Sequence, residues 1–285
     1  NNEPLRDIIL WLDKRTVDPN GAMPAKNMML FKVAGMEPTA KVVYAASVGN
    51  WIMRHEPEIW ARTAKYVMLP TYLNYKLTGN LIDSASNQIG HIPFDYKNRR
   101  WMKPGSLTRC FCDVPNEKLC DLVPSGTVIG TVTDEVCALT GIPAGLPLIS
   151  TGSDKGCETL GLAVVDSDKA SISLGTTATI QFSTTEYVEP QQFLPAYPGV
   201  LNDHYNPEIE IYRGLWLLSW FVKEFGTADA MDAKEKGMAP EAPVVGRLRL
   251  TPPARPSWPK RRPSPSSWLT SPAERPKRVM LDNDM

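Results

Sequence analysis

One acidic residue in this sequence stands where chemistry is expected: Asp154, in the segment Gly152-Ser153-Asp154-Lys155-Gly156. A short apolar segment that predicts a strand precedes it, and small residues that predict a helix follow it. The flanking glycines let another group approach the backbone closely. A carboxylate at such a turn can accept a proton from a hydroxyl or help to hold a metal ion. The alternative is structural, because aspartate is also a preferred N-cap of a following helix.

A second chemical feature follows in the segments 170–174 and 178–182, which alternate in polarity around Gly175-Thr176-Thr177. Period-two apolarity around a short glycine-containing turn predicts a β-hairpin. The backbone N–H groups and the two hydroxyls of the turn suit phosphate oxygens. An ordinary hairpin turn has the same pattern, so the acid upstream is what favours a functional interpretation.

The elements that would position these residues begin near the start of the chain. Residues 7–13 form an apolar run that ends in Asp13, followed by Lys14 and Arg15. Such a run predicts a strand covered on both faces. An acid at the carboxyl end of that strand would face the crevice in which ligands of open α/β folds bind. A solvated turn after the strand is the alternative.

Residues 41–77 show helical spacing. The apolar positions predict one helix from Val42 to Ile52, a second from Pro57 to Met68, and a third from Pro70 that ends at Gly79. Further along, residues 128–150 predict strand, helix and strand in short succession, with Thr133 as the helix N-cap. This alternation indicates α/β organisation.

Composition narrows the class of protein. Of 285 residues, 42% are hydrophobic and 22% charged, which allows a buried core and excludes global disorder. Thirty-one basic residues balance 31 acidic ones, so we expect no nucleic-acid or membrane-surface partner. No apolar run approaches the ~20 residues of a membrane span, and the start, Asn1-Asn2-Glu3-Pro4, predicts no signal peptide. Five cysteines without a zinc pattern indicate reduced thiols and a cytoplasmic protein.

The last part of the chain has a different amino-acid composition. Ten of the 26 prolines lie between Pro240 and Pro276, among many arginines and lysines. Proline removes a backbone donor and fixes φ, so residues 237–285 predict a disordered basic tail. Such a tail is either a proline-rich ligand for a partner or sequence read in a shifted frame.

Taken together and in this order, these motifs resemble the FGGY carbohydrate kinases, a family that includes xylulose kinase and glycerol kinase. The segments that carry the resemblance are Trp11-Leu12-Asp13-Lys14-Arg15, Tyr75-Lys76-Leu77-Thr78-Gly79 with Asp83, Ser86 and Asn87, Gly152-Ser153-Asp154, and Ser173-Leu174-Gly175-Thr176-Thr177-Ala178. The likeness covers about residues 5–236.

The resemblance implies an α/β fold of the actin-like ATPase (ribonuclease H-like) type. Two domains are expected, the remainder of the first at 1–145 and the start of the second at 146–236. The implied activity is ATP-dependent phosphorylation of a sugar or polyol hydroxyl, with Mg²⁺. Asp154 would be the catalytic base and a Mg²⁺ ligand, and Gly175, Thr176 and Thr177 would contact ATP phosphates. Asp13, Asp154 and Lys155 would contact the substrate.

The chain also departs from the family pattern. It contains no Asp-x-Gly-Thr turn and no late glycine-rich adenine-binding segment, and Lys155 stands where the family has Asn or Gln. We therefore expect an incomplete kinase, truncated at both ends, with little or no activity. The alternative is a non-catalytic binding or regulatory protein derived from the kinase fold. A sheet without its first strands would have an unpaired edge, which favours self-association.

Overall fold

The computed structural model describes residues 3–10, 13–175, 177–191, 194–211, 214 and 216–242. They belong to one compact unit, Asn1–Pro243, whereas a second unit, Val244–Met285, lies outside the described residues. Most of the predicted basic tail falls in that second unit. The domain boundaries expected near residues 145 and 236 stay predictions.

The helices of the described residues lie mostly in the first half of the chain. They are α1 (Ala25–Val33), α2 (Glu37–Ala46), α3 (Val48–His55), α4 (Pro57–Arg62), α5 (Leu69–Thr78), α6 (Asp134–Thr140), α7 (Asp154–Gly161), α8 (Trp216–Phe225) and α9 (Thr227–Glu235). Three short 3₁₀ helices occur at Ala85–Asn87, Leu107–Phe111 and Asn116–Lys118.

The strands are short and form several small sheets. They are β1 (Ile82–Ser84), β2 (Phe94–Asp95), β3 (Arg100–Trp101), β4 (Asp121–Val123), β5 (Val128–Thr131), β6 (Pro147–Ile149), β7 (Ala170–Leu174), β8 (Ala178–Phe182), β9 (Tyr197–Pro198), β10 (Tyr205–Asn206) and β11 (Glu208–Ile211). Strand β1 pairs in parallel with β4, and β5 pairs antiparallel with β6. The three-stranded sheet has the order β11-β8-β7 and is antiparallel throughout.

Local signals in the sequence placed several elements correctly. Helix α5 ends at Gly79, whose φ of 80° is a left-handed conformation that glycine adopts without strain. The Thr133 hydroxyl caps α6 by accepting a hydrogen bond from the Val136 amide at 3.3 Å. The predicted hairpin is confirmed, with Ala170 opposite Phe182 and Leu174 opposite Ala178.

The strand predicted for residues 7–13 is wrong over its described part. Residues 7–10 and 13 have irregular backbone and take part in none of the described strand ladders. Ile8 and Leu10 are 57% and 68% exposed. An apolar run forms a strand only where a neighbouring strand satisfies its backbone groups, and none does so here.

The single helix predicted for residues 42–52 is divided in two. Ser47 adopts extended backbone, ending α2, and its hydroxyl caps α3 by accepting a hydrogen bond from the Asn50 amide at 3.4 Å. The helix predicted for residues 57–68 stops at Arg62. Its last residues are held by a tertiary contact instead, since the Tyr66 amide donates to the Lys118 carbonyl at 2.7 Å.

A buried amide joins the helical part to the 3₁₀ helix at Leu107–Phe111. Asn50 is 1% exposed, and its Nδ2 donates to the carbonyls of Tyr44 at 3.1 Å and Phe111 at 2.8 Å. Its Oδ1 accepts from the Asp113 amide at 3.2 Å. Tyr44 and Phe111 themselves belong to an apolar cluster with Phe31. Asn50 therefore links the backbone of α2 to the backbone of residues 111 and 113.

Replacing this amide is expected to destabilise the fold. Asn50→Ala should lower the free energy of unfolding by about 3 kcal/mol, because the three hydrogen bonds that the side chain makes to backbone groups inside the protein are lost. Urea denaturation followed by tryptophan fluorescence measures the loss. Asn20→Ala is the matched control, since the Asn20 side chain is exposed and bonds only the neighbouring Asp18. Equal midpoints for the two variants would contradict the expectation.

Candidate active site

Asp154 is the first residue of α7 and its side chain is exposed. The alternative prediction that Asp154 caps this helix is wrong. Ser153 is the cap, because its Oγ accepts a hydrogen bond from the Gly156 amide at 3.1 Å. Asp154 Oδ1 accepts from the Lys155 amide at 2.7 Å. Serine is as good an N-cap as aspartate, so the type of residue 153 was a signal that sequence reasoning missed.

The side chain of Lys155 connects the start of α7 to the hairpin. Its Nζ donates to Ser173 Oγ in β7 at 2.7 Å and to Glu158 Oε2 at 3.0 Å. Ser173 lies two positions before Gly175, the first residue of the hairpin turn. The Lys155 ammonium therefore lies on the side of the helix that faces the predicted phosphate-binding turn.

Hydroxyl and amide groups continue this connection across the sheet. Thr159 Oγ1 in α7 bonds Ser171 Oγ in β7 at 3.0 Å and also bonds Gln181 Oε1 in β8. Gln181 Nε2 then donates to Glu208 Oε2 in β11 at 3.0 Å. Burial raises the pKa of the Glu208 carboxyl, and the bond from Gln181 opposes that rise. The helix and all three strands are thus tied by side-chain hydrogen bonds.

An open cleft of about 2380 Å³ extends from the first described residues, past helices α3 to α5, to α7 and the hairpin. Its lining includes every predicted site residue that the structure describes: Asp13, Asp154, Lys155, Gly175 and Thr177. Thr176 lies outside the described residues. Glu208 and Glu210 line the same cleft and were not among the predicted residues. They come from β11, whose pairing with the hairpin is long-range and carries no local signal.

Asp13 is held in an ion pair at another part of this cleft. Its carboxylate accepts from Arg15 Nη2 at 2.7 Å, Arg15 Nε at 2.9 Å and the Arg15 amide at 2.9 Å. The side-chain hydrogen bond from Arg15 lowers the pKa of Asp13 to about 2. The Arg15 guanidinium also lies 4.3 Å from the ring centroid of Trp51. Asp13 is therefore ionised at neutral pH, with both carboxylate oxygens bonded to Arg15.

The described side chains form no preassembled metal site. Within the described residues no group of three His, Cys, Asp or Glu side chains could hold a metal ion. Mg²⁺ in nucleotide-dependent enzymes commonly takes one or two carboxylates together with substrate phosphates. A single exposed carboxylate at Asp154 fits that mode of binding. In the same described part of the chain, no helix has the length and apolarity that a bilayer crossing requires.

The fold is shared with solved sugar kinases. A xylulose kinase from Rhodospirillum rubrum aligns with a TM-score of 0.59 at 19% identity, over 74% of this chain and 44% of that one. A ligand-bound xylulose kinase from Lactobacillus acidophilus aligns with a TM-score of 0.57 at 20% identity, over 74% and 45%. The mixed α/β chain therefore has the actin-like ATPase fold in part, as the sequence predicted.

The family follows from sequence comparison. The model of the FGGY family of carbohydrate kinases, N-terminal domain, matches residues 1–161. This chain belongs to the FGGY family of carbohydrate kinases. It is 30% identical over 211 residues to YgcE, an uncharacterised sugar kinase of Escherichia coli (strain K12), and 27% identical over 229 residues to xylulose kinase from the same strain. These alignments cover 74% and 79% of this chain but only 42% and 46% of the two relatives.

The Asp13–Arg15 pair predicts a pH effect with a defined sign. Because the pKa of Asp13 is lowered on folding, the pair's contribution to stability is full above the ordinary value of 3.8 and is lost as pH falls toward 2. Arg15→Met should return the pKa of Asp13 toward 3.8, as measured by ¹³C NMR titration of its carboxyl carbon. Lys14→Met removes the adjacent charge and should leave that titration unchanged. An unaltered Asp13 titration in Arg15→Met would show that the pair does not form.

Proposed function

We propose that this chain is the catalytic-base-bearing part of an ATP-dependent carbohydrate kinase that phosphorylates a hydroxyl of a sugar or polyol. The observation that carries the proposal is the exposed Asp154 carboxylate on the wall of a cleft that the hairpin turn also lines. Family membership supplies the reaction class. Within it, Asp154 is the exposed carboxylate that lines the same cleft as the turn suited to phosphates.

In the proposed reaction, the substrate hydroxyl gives its proton to Asp154 while its oxygen forms a bond to the γ-phosphorus of ATP. The bond from that phosphorus to the β,γ-bridging oxygen breaks, which releases ADP. Positioning and charge neutralisation supply most of the rate enhancement in such transfers. Asp154 accepts the Lys155 amide bond through Oδ1, so Oδ2 is the oxygen we assign to the proton.

The remaining site residues are proposed to contact either the nucleotide or the substrate. Gly175, Thr176 and Thr177 would contact the ATP phosphates, and Asp13 and Lys155 would contact the substrate. Mg²⁺, when bound, supplies positive charge against the phosphates, and Asp154 is the described residue that would hold it. Relatives at 27% and 28% identity are xylulose kinases, so xylulose is the first sugar to test.

The polypeptide of the printed sequence is proposed to be weakly active or inactive. It contains no Asp-x-Gly-Thr turn, and it spans less than half the length of the relatives described above. The second candidate is a non-catalytic binding or regulatory protein that keeps part of the fold. We also propose two domains, at 1–145 and 146–236. A cytoplasmic location is part of the same proposal, and the free state of all five cysteines supports that location.

Nucleotide binding separates the two candidates. Titration calorimetry with Mg·ATP should show millimolar or tighter binding that weakens in Asp154→Asn, because the carboxylate no longer helps to hold the metal. Asp166→Asn is the matched control, an exposed acid outside the cleft that pairs with Lys169. Absence of binding would favour the regulatory protein. Formation of ADP that depends on xylulose and is lost in Asp154→Asn would overturn the expectation of low activity.

The hairpin turn makes a separate prediction about phosphates. Thr177→Val should weaken Mg·ATP binding about tenfold, since one hydrogen bond to a charged group is lost. Binding of AMP, which lacks the β- and γ-phosphates, should change little. Thr185→Val, in an exposed position outside the cleft, is the control. Equal weakening of ATP and AMP would place the effect away from the terminal phosphates.

A further inference from the structure

A buried carboxylate without a described cationic partner lies beneath the candidate site. Asp83 in β1 is 3% exposed. Its two oxygens accept hydrogen bonds from Thr71 Oγ1 at 2.7 Å, the Ser84 amide at 2.8 Å, Asn87 Nδ2 at 3.1 Å, Gln88 Nε2 at 3.2 Å and Asn74 Nδ2 at 3.5 Å. Every one of these described donors is neutral.

Three of the donors come from the segment 84–88, which immediately follows the acid. A charged group in the protein interior is tolerated only when its oxygens are fully hydrogen-bonded, and losing one partner is costly. In the observed conformation the segment directs three donors to the carboxylate. Within the segment, Ser84 Oγ accepts a hydrogen bond from the Ser86 amide at 3.1 Å and so caps the N-terminus of the short 3₁₀ helix at Ala85–Asn87.

This segment contacts the start of α7 directly. The Ser86 carbonyl accepts a hydrogen bond from the Ser153 amide at 3.0 Å, and Ser86 Oγ donates to the Gly199 carbonyl at 2.7 Å. The fit is close, because a Cβ on Gly152 would lie 2.8 Å from a methyl of Val200 and 3.3 Å from the Ser86 carbonyl oxygen. Ser153 in turn caps the helix whose first residue is Asp154.

We propose that Asp83 is a positioning residue for Asp154. Its carboxylate holds segment 84–88, the Ser86 carbonyl holds the Ser153 amide, and the Ser153 cap sets where the Asp154 side chain leaves the helix. The importance of that placement for catalysis rests on the proposed function. The placement itself is a property of the fold and is measured without substrate.

NMR of the full chain tests the proposal at constant pH with two reporters. One is the hydrogen-exchange rate of the Ser153 amide, whose bond to Ser86 is the link. The other is the proton chemical shift of the Lys155 amide, which bonds Asp154 Oδ1 and so reports the position of that carboxylate. In Asp83→Asn, which turns an acceptor into a donor facing other donors, Ser153 exchange should rise at least tenfold. The Lys155 amide should shift in the direction seen in Asp154→Asn.

Asp121→Asn is the control, because Asp121 is an exposed acid on β4, the strand paired with β1. It should leave both reporters unchanged. Amides in the β7–β8 ladder, such as Ile172 and Ile180, should also keep their exchange rates in Asp83→Asn. A general rise in exchange that includes those amides would assign Asp83 to stability alone and overturn the proposal, as would unchanged reporters in a folded variant.

If Asp83→Asn does not fold, Thr71→Val carries the test, since it removes one donor and keeps the charge. A rise of about threefold in Ser153 exchange, with the same direction of shift at Lys155, is then expected, and its absence would overturn the proposal. The outcome is separate from that of the proposed function. An absence of Mg·ATP binding would contradict the proposed kinase function, whatever the NMR result. If Mg·ATP binding depends on Asp154 but the two NMR reporters do not change, only the proposed role of Asp83 is contradicted.

Discussion

Burying the Asp83 carboxylate among neutral donors constrains the middle of this structure more than any apolar contact does. Apolar side chains can slide or change rotamer at modest cost, whereas a buried charge loses stabilisation with each donor that moves away. Thr71 from α5 and Gln88 from beyond the 3₁₀ helix both bond Asp83. The Asp83 carboxylate therefore connects the helical part of the chain to the segment that contacts α7.

Polar contacts also decide how the three-stranded sheet meets α7. Register places Ser171, Gln181 and Glu208 side by side on one face, and this face is the one bonded to Thr159 of the helix. On the opposite face Ile172, Ile180 and Ile209 are adjacent in register and 40–62% exposed. A sheet usually packs its apolar face against its helix. Here directed hydrogen bonds replace that packing, so the distance between α7 and the hairpin depends on individual side chains.

The parts of the fold that the sequence predicted are those decided by neighbouring residues. Gly79 at a helix end, Thr133 at a helix start and the alternation around Gly175 each act within a few positions. The errors share the opposite cause. Ser47 divides a helix whose apolar spacing continues across it, and residues 63–68 leave the helix because Lys118 offers a backbone partner 52 positions after Tyr66. Residues 7–10 lack a strand partner, which no local pattern reveals.

The candidate site was predictable to the same extent. Asp154, Lys155, Gly175 and Thr177 could be proposed from the sequence because they lie close together, on one turn and one hairpin, while Glu208 and Glu210 come from a distant strand. The choice between cap and base for Asp154 could not be made from residue types, since both Ser153 and Asp154 suit a cap. The structure assigns the capping bond to Ser153. A carboxylate that capped the helix would accept from backbone amides two or three positions further along the chain. Asp154 instead accepts from the adjacent Lys155 amide through Oδ1, and its side chain stays exposed at the cleft, the condition that any proton-accepting role there requires.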